Sequence, residues 1–211
     1  MLKHYKHDHE WKGNARGYDV LGTHYPGVTS ILQATKPASD KKFLEAWKKR
    51  TPKVKQQANL DRGTAVHLEI EHFLKTGEYL PDSQFKCYLD GMKDVLEQIT
   101  KVYLVEGAVW HPDGYAGTVD AGIEIYGQNI LADWKTSDRF KSSKDVRDYK
   151  IQTAAYCGAW NHVYPDFKLN KAMILIGVKN ETCQKFMIEP NEMMGLWGKW
   201  KRRLDRYKAT K

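Results

Sequence analysis

The chain has 211 residues, of which 41% are hydrophobic and 28% are charged, and its net charge is +8. This length and composition predict one globular domain with a sizeable core, and no run approaches the roughly 18 apolar residues that a membrane-spanning helix needs. The cysteines Cys87, Cys157 and Cys183 are far apart and form no C-x-x-C pair. We therefore expect no disulfide framework, no zinc site built on cysteines and no iron–sulfur cluster, which needs four cysteines.

Most of the positive charge lies in two stretches. Residues 41–55 contain seven Lys or Arg and one Glu, residues 199–211 contain seven and one Asp, and the rest of the chain carries a net charge of −4. Clustered cations bind phosphates by releasing counterions, and interleaved aromatic residues such as Trp47 stack on unpaired bases. Thr51-Pro52 breaks the first stretch and is expected to leave its second half loosely specified. The nucleic-acid contacts predicted in this stretch are Lys48, Lys49, Arg50, Lys53 and Lys55.

In chain order, residues 1–26 are predicted to be irregular or short-stranded. A flexible, solvated segment is favoured there over a metal site at His4, His7 and His9. Periodicity predicts helices at 28–34, 39–50, 62–75 and 83–100, and strands at 103–110, 115–126 and 130–136. It then predicts a helix at 146–162, strands at 171–178 and 183–188, and a last helix capped by Asn191 after Pro190. This order predicts an α/β fold with a central mixed sheet flanked by helices on both sides.

The predicted helix at 62–75 carries an apolar stripe with polar residues beside it. The stripe consists of Val66, Ile70, Phe73 and Leu74. His67 and Glu71 lie one turn apart beside it. His67 and His72 are five residues apart, so the H-E-x-x-H order of zincins is absent. On spacing alone, a solvated or capping histidine is favoured over a metal ligand at His67.

The two strands at 115–136 are predicted to form a hairpin around Gly127-Gln128-Asn129. Asp133 and Lys135 share a strand face because they are two residues apart. Any two-residue turn drawn from that tripeptide pairs even-numbered with odd-numbered positions, which brings Asp120 onto the same face. Gly122 is then opposite or diagonal to Asp133 and is expected to leave open space.

Two carboxylates and a lysine on one face indicate a metal-dependent hydrolytic site. Carboxylates that lie this close need a counter-charge, and their hard oxygen atoms suit Mg²⁺ or Mn²⁺. A neighbouring lysine can orient or deprotonate the attacking water and stabilise a pentavalent phosphate. The alternative from these three residues alone is an exposed ion cluster on a hairpin edge.

The helices after the hairpin carry two further patterns. Gln152 and Tyr156 share one face at i, i+4, although Tyr156 could equally cap the core. In the last helix, four apolar residues at i, i+3, i+7 and i+10 predict a core stripe. The Lys and Arg residues of that helix are expected to face solvent or nucleic acid. The residues of this stripe are Trp197, Trp200, Leu204 and Tyr207.

The ordered set of motifs resembles the PD-(D/E)XK nuclease superfamily in its RecB-like branch. The matching stretches are Gly63-Thr64-x-x-His67, Gly117-Thr118-Val119-Asp120, Asp133-Trp134-Lys135-Thr136-Ser137 and Gln152-x-x-x-Tyr156. More narrowly, the chain is similar to the mitochondrial genome maintenance exonucleases and their phage and bacterial relatives. That likeness rests on Gly27-Val28-Thr29-Ser30-Ile31-Leu32, Glu106-Gly107-Ala108-Val109, Ala155-Tyr156-Cys157-Gly158-Ala159 and Trp197-x-x-Trp200-x-x-x-Leu204. It spans nearly the whole chain and implies a restriction-endonuclease-like core.

The resemblance implies a metal site and a catalytic lysine. Asp120 and Asp133 would bind the metal, with His67 as a further ligand and the main-chain carbonyl of Trp134 completing its shell. Lys135 would be the catalytic lysine.

The resemblance also implies supporting roles for four residues. Gln152 and Tyr156 would position Lys135 or the scissile phosphate. Glu106 is expected to support the site more than to bind the metal. For Glu71, a solvated helix side chain is favoured over a contact to the metal through water.

The implied function is a deoxyribonuclease that uses one or two Mg²⁺ or Mn²⁺ ions and acts as an exonuclease on single-stranded or free-ended DNA. The alternatives are a structure-dependent endonuclease and a non-catalytic DNA-binding or recombination accessory module. Replication or recombination proteins are possible partners, and no membrane contact is expected.

The expected organisation is one nuclease domain over 1–211, with a helical or irregular extension at 1–60 and the nuclease core at 62–211. The His-rich start, which includes Asp8 and Glu10, has neither the apolar core of a signal peptide nor the character of a transit peptide. The expected location is therefore the cytoplasm of a bacterial or phage-infected cell.

Overall fold

The computed structural model describes residues 1–12 and 15–210, with the backbone alone for His9 and Lys12. The strands in these ranges are β1 His7–Lys12, β2 Ala15–Val20, β3 Thr23–Pro26, β4 Ile99–His111, β5 Tyr115–Ile125, β6 Gln128–Ser137, β7 Ala172–Val178 and β8 Gln184–Ile188. The helices are α1 Val28–Ala34, α2 Ala38–Arg50, α3 Lys53–Thr76, α4 Lys86–Leu96, α5 Arg147–Val163 and α6 Pro190–Lys208. None of these helices is both long and apolar enough to cross a membrane.

Strands β4 to β8 form one five-stranded sheet in the order β4-β5-β6-β7-β8. Strands β6 and β7 are parallel because α5 carries the chain back between them, and the other neighbours are antiparallel. Helices α1, α5 and α6 pack on one face of the sheet, and α3 and α4 pack on the other. The predicted mixed sheet with helices on both sides is confirmed.

The hairpin that joins β5 to β6 turns at Tyr126-Gly127, one residue earlier than predicted. Both residues have positive φ angles, 52° and 68°, and such two-residue turns match the twist of paired strands. The register pairs Ile125 with Gln128 and Ala121 with Ala132. Even-numbered positions therefore face odd-numbered ones, as the sequence predicted.

A second, three-stranded sheet occupies the N-terminal segment, in the order β1-β2-β3. It joins the main sheet through a bridge between Gly27 and Ala116 of β5. The Gly27 N–H donates to the Arg16 carbonyl at 2.9 Å, and a Cβ on Gly27 would lie 2.7 Å from that oxygen. Short strands, one of the two forms predicted for residues 1–26, are thus present in the described part of this segment, and glycine is required where it meets β5.

The prediction around Pro52 was wrong in one respect. The helical pattern does break there, since Thr51 is extended with φ −102° and ψ 123°. Pro52 is the N-cap of α3, however, and that helix begins at Lys53, nine residues before the predicted start. The fixed φ of proline suits a helix start, so the residues expected to be loosely specified form the first turns of α3.

Two other predicted boundaries were also wrong. The helix predicted at 83–100 is α4, which ends at Leu96, and β-branched Ile99 already begins β4. In α6, the N-cap is Glu189 without a side-chain cap, because Pro190 takes the first helical position and moves Asn191 inside the helix.

The predicted core stripe of α6 is confirmed, since Trp200 and Leu204 are buried and Trp197 and Tyr207 are partly buried against the core. Arg203 departs from the prediction that the basic residues of this helix face outward. It is buried, and its Nε donates to Thr35 Oγ1 at 2.6 Å. This cation therefore fastens α6 to the end of α1.

Candidate active site

A cleft of about 550 Å³ opens where α3 and α5 approach the central strands. Its lining residues come from four parts of the chain: His7, Arg16, Tyr18 and Thr29; Gly63, Thr64, His67, Leu68 and Glu71; Glu106, Thr118, Asp120 and Lys135; and Gln152 and Tyr156. The cleft therefore contains most of the residues singled out in the sequence, although they lie far apart along the chain.

Asp133 lies beneath the floor of this cleft. Its carboxylate is buried, with Oδ2 at 2.6 Å from Lys135 Nζ and Oδ1 accepting from Gln152 Nε2 at 3.1 Å. Lys135 Nζ also donates to the Trp134 carbonyl at 3.1 Å. Strand pleating thus places Asp133 and Lys135 on one face of β6, and the packing of α5 brings Gln152 to them.

Burial and ion pairing act in opposite directions on this pair. Burial raises the pKa of Asp133, and the Lys135 ammonium partly offsets that rise. Burial lowers the pKa of Lys135, but the carboxylates of Asp133 and Asp120 raise it by more. Lys135 is therefore an ammonium group, a hydrogen-bond donor with a full positive charge at the floor of the cleft.

His67 lies between acceptors on both sides of its ring. Its Nε2 is 2.8 Å from the Trp134 carbonyl, and its Nδ1 is 3.6 Å from Glu106 Oε1 and 3.6 Å from Asp120 Oδ1. Burial lowers the pKa of His67, but Asp120 and Glu106 outweigh it and raise the pKa to about 9. The surroundings of this ring therefore favour a positive charge.

Glu106 has a more central position than the sequence suggested. Donor atoms of His67, Glu106 and Asp120 lie within 4.8 Å of one another, and Asp133 is not part of this group. Glu106 holds a φ of 48° within β4, in a region that non-glycine residues rarely adopt and that often marks functional sites. One imidazole nitrogen and two carboxylates from three elements fit Mn²⁺ or Mg²⁺.

Asp120 belongs to this donor group and also reaches β6. Its Oδ2 accepts the Trp134 N–H at 2.6 Å, and its Oδ1 faces His67. The main chain of Trp134 thus contacts both side chains, while its indole is buried in the core on the other side.

The open space predicted beside Asp133 is absent, because aromatic rings from α5 fill it. A Cβ on Gly122 would lie 2.2 Å from the Trp160 ring, and one on Gly117 would lie 2.4 Å from the Tyr156 ring. Tyr156 is largely buried and still lines the cleft. These two glycines therefore let α5 approach the hairpin closely.

The N-terminal sheet supplies a wall of the cleft that the sequence did not indicate. Arg16 places its guanidinium carbon 4.9 Å from the centre of the Tyr18 ring. The Arg16 N–H donates to Ser30 Oγ at 2.7 Å, and the Ser30 hydroxyl donates back to the Arg16 carbonyl at 3.0 Å. Gly27 and Ser30 thus hold the strand that carries Arg16. These two residues belong to a stretch on which the resemblance rests, and in the sequence they were the available signal for this wall.

The predicted nucleic-acid contacts are divided between a second cleft and open surface. Arg50 and Lys55 line this second cleft of about 390 Å³, which lies beside the first. Lys48, Lys49 and Lys53 are exposed and do not line it.

No family model matches this chain. Among curated proteins, it is 32% identical to "Mitochondrial genome maintenance exonuclease 1" of Xenopus tropicalis, over 93% of this chain and 61% of that protein. It is 29% identical to the protein of that name from Mus musculus, over 86% of this chain and 58% of that protein. For the Homo sapiens protein the identity is 26%, over 88% and 59%.

The chain thus spans about three fifths of the length of the curated relatives that it matches. Their names refer to mitochondria and give no support to the bacterial or phage-infected cytoplasm expected above. The similarity covers most of this chain, and the names of these relatives support an exonuclease family for it.

Proposed function

We propose that this protein is a Mg²⁺- or Mn²⁺-dependent deoxyribonuclease of the PD-(D/E)XK type, RecB-like branch, with a restriction-endonuclease-like core. It acts as an exonuclease on single-stranded or free-ended DNA. The observation that carries the proposal is the convergence, at one cleft, of a three-donor group and a buried carboxylate–lysine pair. The similarity to proteins named as exonucleases supports it independently.

The metal is assigned to the acceptor-rich side of the cleft. The ligands we propose are His67, Glu106 and Asp120. The Trp134 carbonyl and Asp133 are also expected from the sequence, but here the carbonyl faces His67 Nε2 and Asp133 pairs with Lys135 and Gln152, so each would have to leave its present partner to join the ion. When bound, a divalent ion supplies a Lewis acid that polarises phosphate oxygens and lowers the pKa of water.

Lys135 stabilises charge on the phosphate. Its ammonium group lies at the floor of the cleft between Asp133 and the Trp134 carbonyl, and charge-assisted donors of this kind are strong where water is excluded. Because its ammonium group donates to Asp133 and to the Trp134 carbonyl, we assign orientation and charge stabilisation to Lys135. Gln152 holds Asp133 in place beneath it.

Arg16 is the cation that meets the phosphate from the opposite wall. Its planar guanidinium suits bidentate phosphate contacts, and Ser30 fixes its backbone. The Tyr18 ring packs against its guanidinium group. Arg16→Lys should therefore raise KM for DNA without changing Mn²⁺ affinity.

The test is degradation of a single-stranded DNA labelled separately at each end, with Mn²⁺ or Mg²⁺. Asp133→Asn and Lys135→Ala should abolish release of label while leaving DNA binding largely intact, and the surface variant Lys168→Ala should behave as wild type. Full activity in either site variant would overturn the assignment. Loss of label from one end before the other would give the polarity.

The requirement for free ends has its own test. Wild-type protein should degrade linear single strands and leave closed circular DNA intact. Rapid cutting of circles would replace the exonuclease assignment with an endonuclease.

A further inference from the structure

The second cleft is lined by sequence neighbours of residues that line the first. Along α3, Arg62 lines the second cleft and its neighbour Gly63 lines the first. Along β6, Lys135 lines the first cleft and Thr136 lines the second. The two clefts are therefore lined by neighbouring residues of α3 and β6, and the second cleft lies close to Lys135.

The second cleft is strongly basic. Its cations come from α2, α3 and the segment after β6, and they are Arg50, Lys55, Arg62, Arg139 and Lys141. Its single carboxylate, Asp138, pairs with Arg62 at 2.7 Å and accepts from the Tyr88 hydroxyl at 2.6 Å. No ion pair joins the other four cations to a carboxylate of residues 1–12 or 15–210. Four positive charges thus surround a space of about 390 Å³.

An aromatic side chain accompanies these cations. Trp47 of α2 lines the cleft and is partly exposed, and α2 buries none of its residues. Thr51 and Asn59 add polar groups to the same lining. A positively charged groove with an exposed ring is the combination that binds single strands, because cations follow the backbone while bases stack on aromatic rings.

We propose that the second cleft is a nucleotide subsite, which holds a phosphodiester and an unpaired base of the substrate strand next to the bond that is cut. The proposal rests on the proposed function for its catalytic neighbour, and binding without turnover tests it separately. It extends the predicted nucleic-acid surface to Arg139 and Lys141, which follow β6 and lie far from residues 41–55 in the sequence.

The first experiment removes two cations that take no part in the catalytic site. Arg139→Ala/Lys141→Ala is compared with Lys3→Ala/Lys168→Ala, which removes two exposed cations that line neither cleft. The affinity for a 20-nucleotide single strand is measured in EDTA at several salt concentrations. Each lost phosphate contact lowers the salt slope by about 0.7 for single strands, so two contacts predict a binding loss of roughly tenfold near physiological salt.

The outcomes separate the proposal from its alternatives. A loss of affinity and slope in Arg139→Ala/Lys141→Ala alone supports the subsite, whether or not wild type proves to be a nuclease. Equal affinity in all proteins overturns it, even if Lys135→Ala abolishes cleavage. Competition by dTMP tests the other source of a phosphate: if the variant loses affinity for the mononucleotide but not for the strand, the cleft holds free product and not the strand.

The second experiment tests the stacked base. Trp47→Ala should weaken binding of a normal single strand about tenfold, since base stacking contributes about 1–3 kcal/mol. It should not weaken binding of an abasic sugar–phosphate strand, and Trp47→Phe should retain most of the affinity. Equal losses for normal and abasic strands would overturn the base-stacking part of the proposal.

Discussion

The ion pair between Asp133 and Lys135 can be broken at either residue. Replacing Lys135 should destabilise the folded protein much more than replacing Asp133. The Asp133 side chain is 1% exposed and lies 2.6 Å from Lys135 Nζ. Lys135→Met keeps the aliphatic stem but leaves a buried carboxylate without its cation. Removing one partner of a buried pair costs about 3–5 kcal/mol in the free energy of unfolding.

The opposite change should cost less. The Lys135 side chain is 18% exposed, so its ammonium group keeps access to water when Asp133 becomes Asn. The amide also keeps an oxygen for Gln152, and the expected loss is about 1–2 kcal/mol. The double variant leaves no unpaired charge, so its loss should be smaller than the sum of the two single losses.

Urea unfolding in EDTA, monitored by circular dichroism, measures the free energy of unfolding of wild type, the two single variants and the double variant. For a chain of this size, a loss of 3–5 kcal/mol lowers Tm by roughly 6–20 °C. Lys150→Met is the matched control, because its pair with Glu192 at 2.7 Å is nearer the surface and should cost less than about 1 kcal/mol. Equal losses in the two single variants, or simple additivity in the double variant, would refute the reasoning.

Three other outcomes are expected. Gly122→Ala places a Cβ 2.2 Å from the Trp160 ring and should lower the free energy of unfolding by about 1–3 kcal/mol, as measured by thermal unfolding. Its control is Gly195→Ala, where the new Cβ has no atom within 4 Å. That change should stabilise α6 by about 0.5–1 kcal/mol. Glu106→Gln should weaken Mn²⁺ binding at least about tenfold in calorimetry, and Glu71→Gln, which lines the same cleft outside the donor group, should leave it unchanged; equal affinities would contradict the donor assignment. EDTA should stop DNA degradation and added Mn²⁺ should restore it, so activity that persists in EDTA would disprove metal dependence.

The local geometry around Lys135 was predictable because it depends on short-range rules. Residues two apart on a strand share a face, and a two-residue turn fixes which positions pair across a hairpin. These rules placed Asp120, Asp133 and Lys135 close together, although the turn itself lies one residue earlier. The buried state of Asp133 did not follow from them, because it depends on α5 packing over the hairpin.

The features that the sequence missed depend on contacts between distant segments or on unusual backbone angles. Arg16 reaches the cleft because Gly27 and Ser30 attach the N-terminal sheet to its neighbours, and no periodic pattern reports such an attachment. Glu106 was expected to support the site, but its place in the donor group was not, and the positive φ that it adopts within a strand is not predicted by strand patterning. The space beside Gly122 looked open because nothing local indicates that Trp160 fills it.

Two α3 side chains meet polar atoms of β6, and the spacing of these contacts fits both elements. Arg62 Nε donates to Thr136 Oγ1 at 3.1 Å, and His67 Nε2 meets the Trp134 carbonyl at 2.8 Å. Five helical residues advance about 7.5 Å, and two strand residues advance about 6.6 Å. An inserted residue between Arg62 and His67 would turn one of them about 100° away from the strand. The helix therefore sets the distance between the two clefts, and a change in the length of this segment would disrupt both.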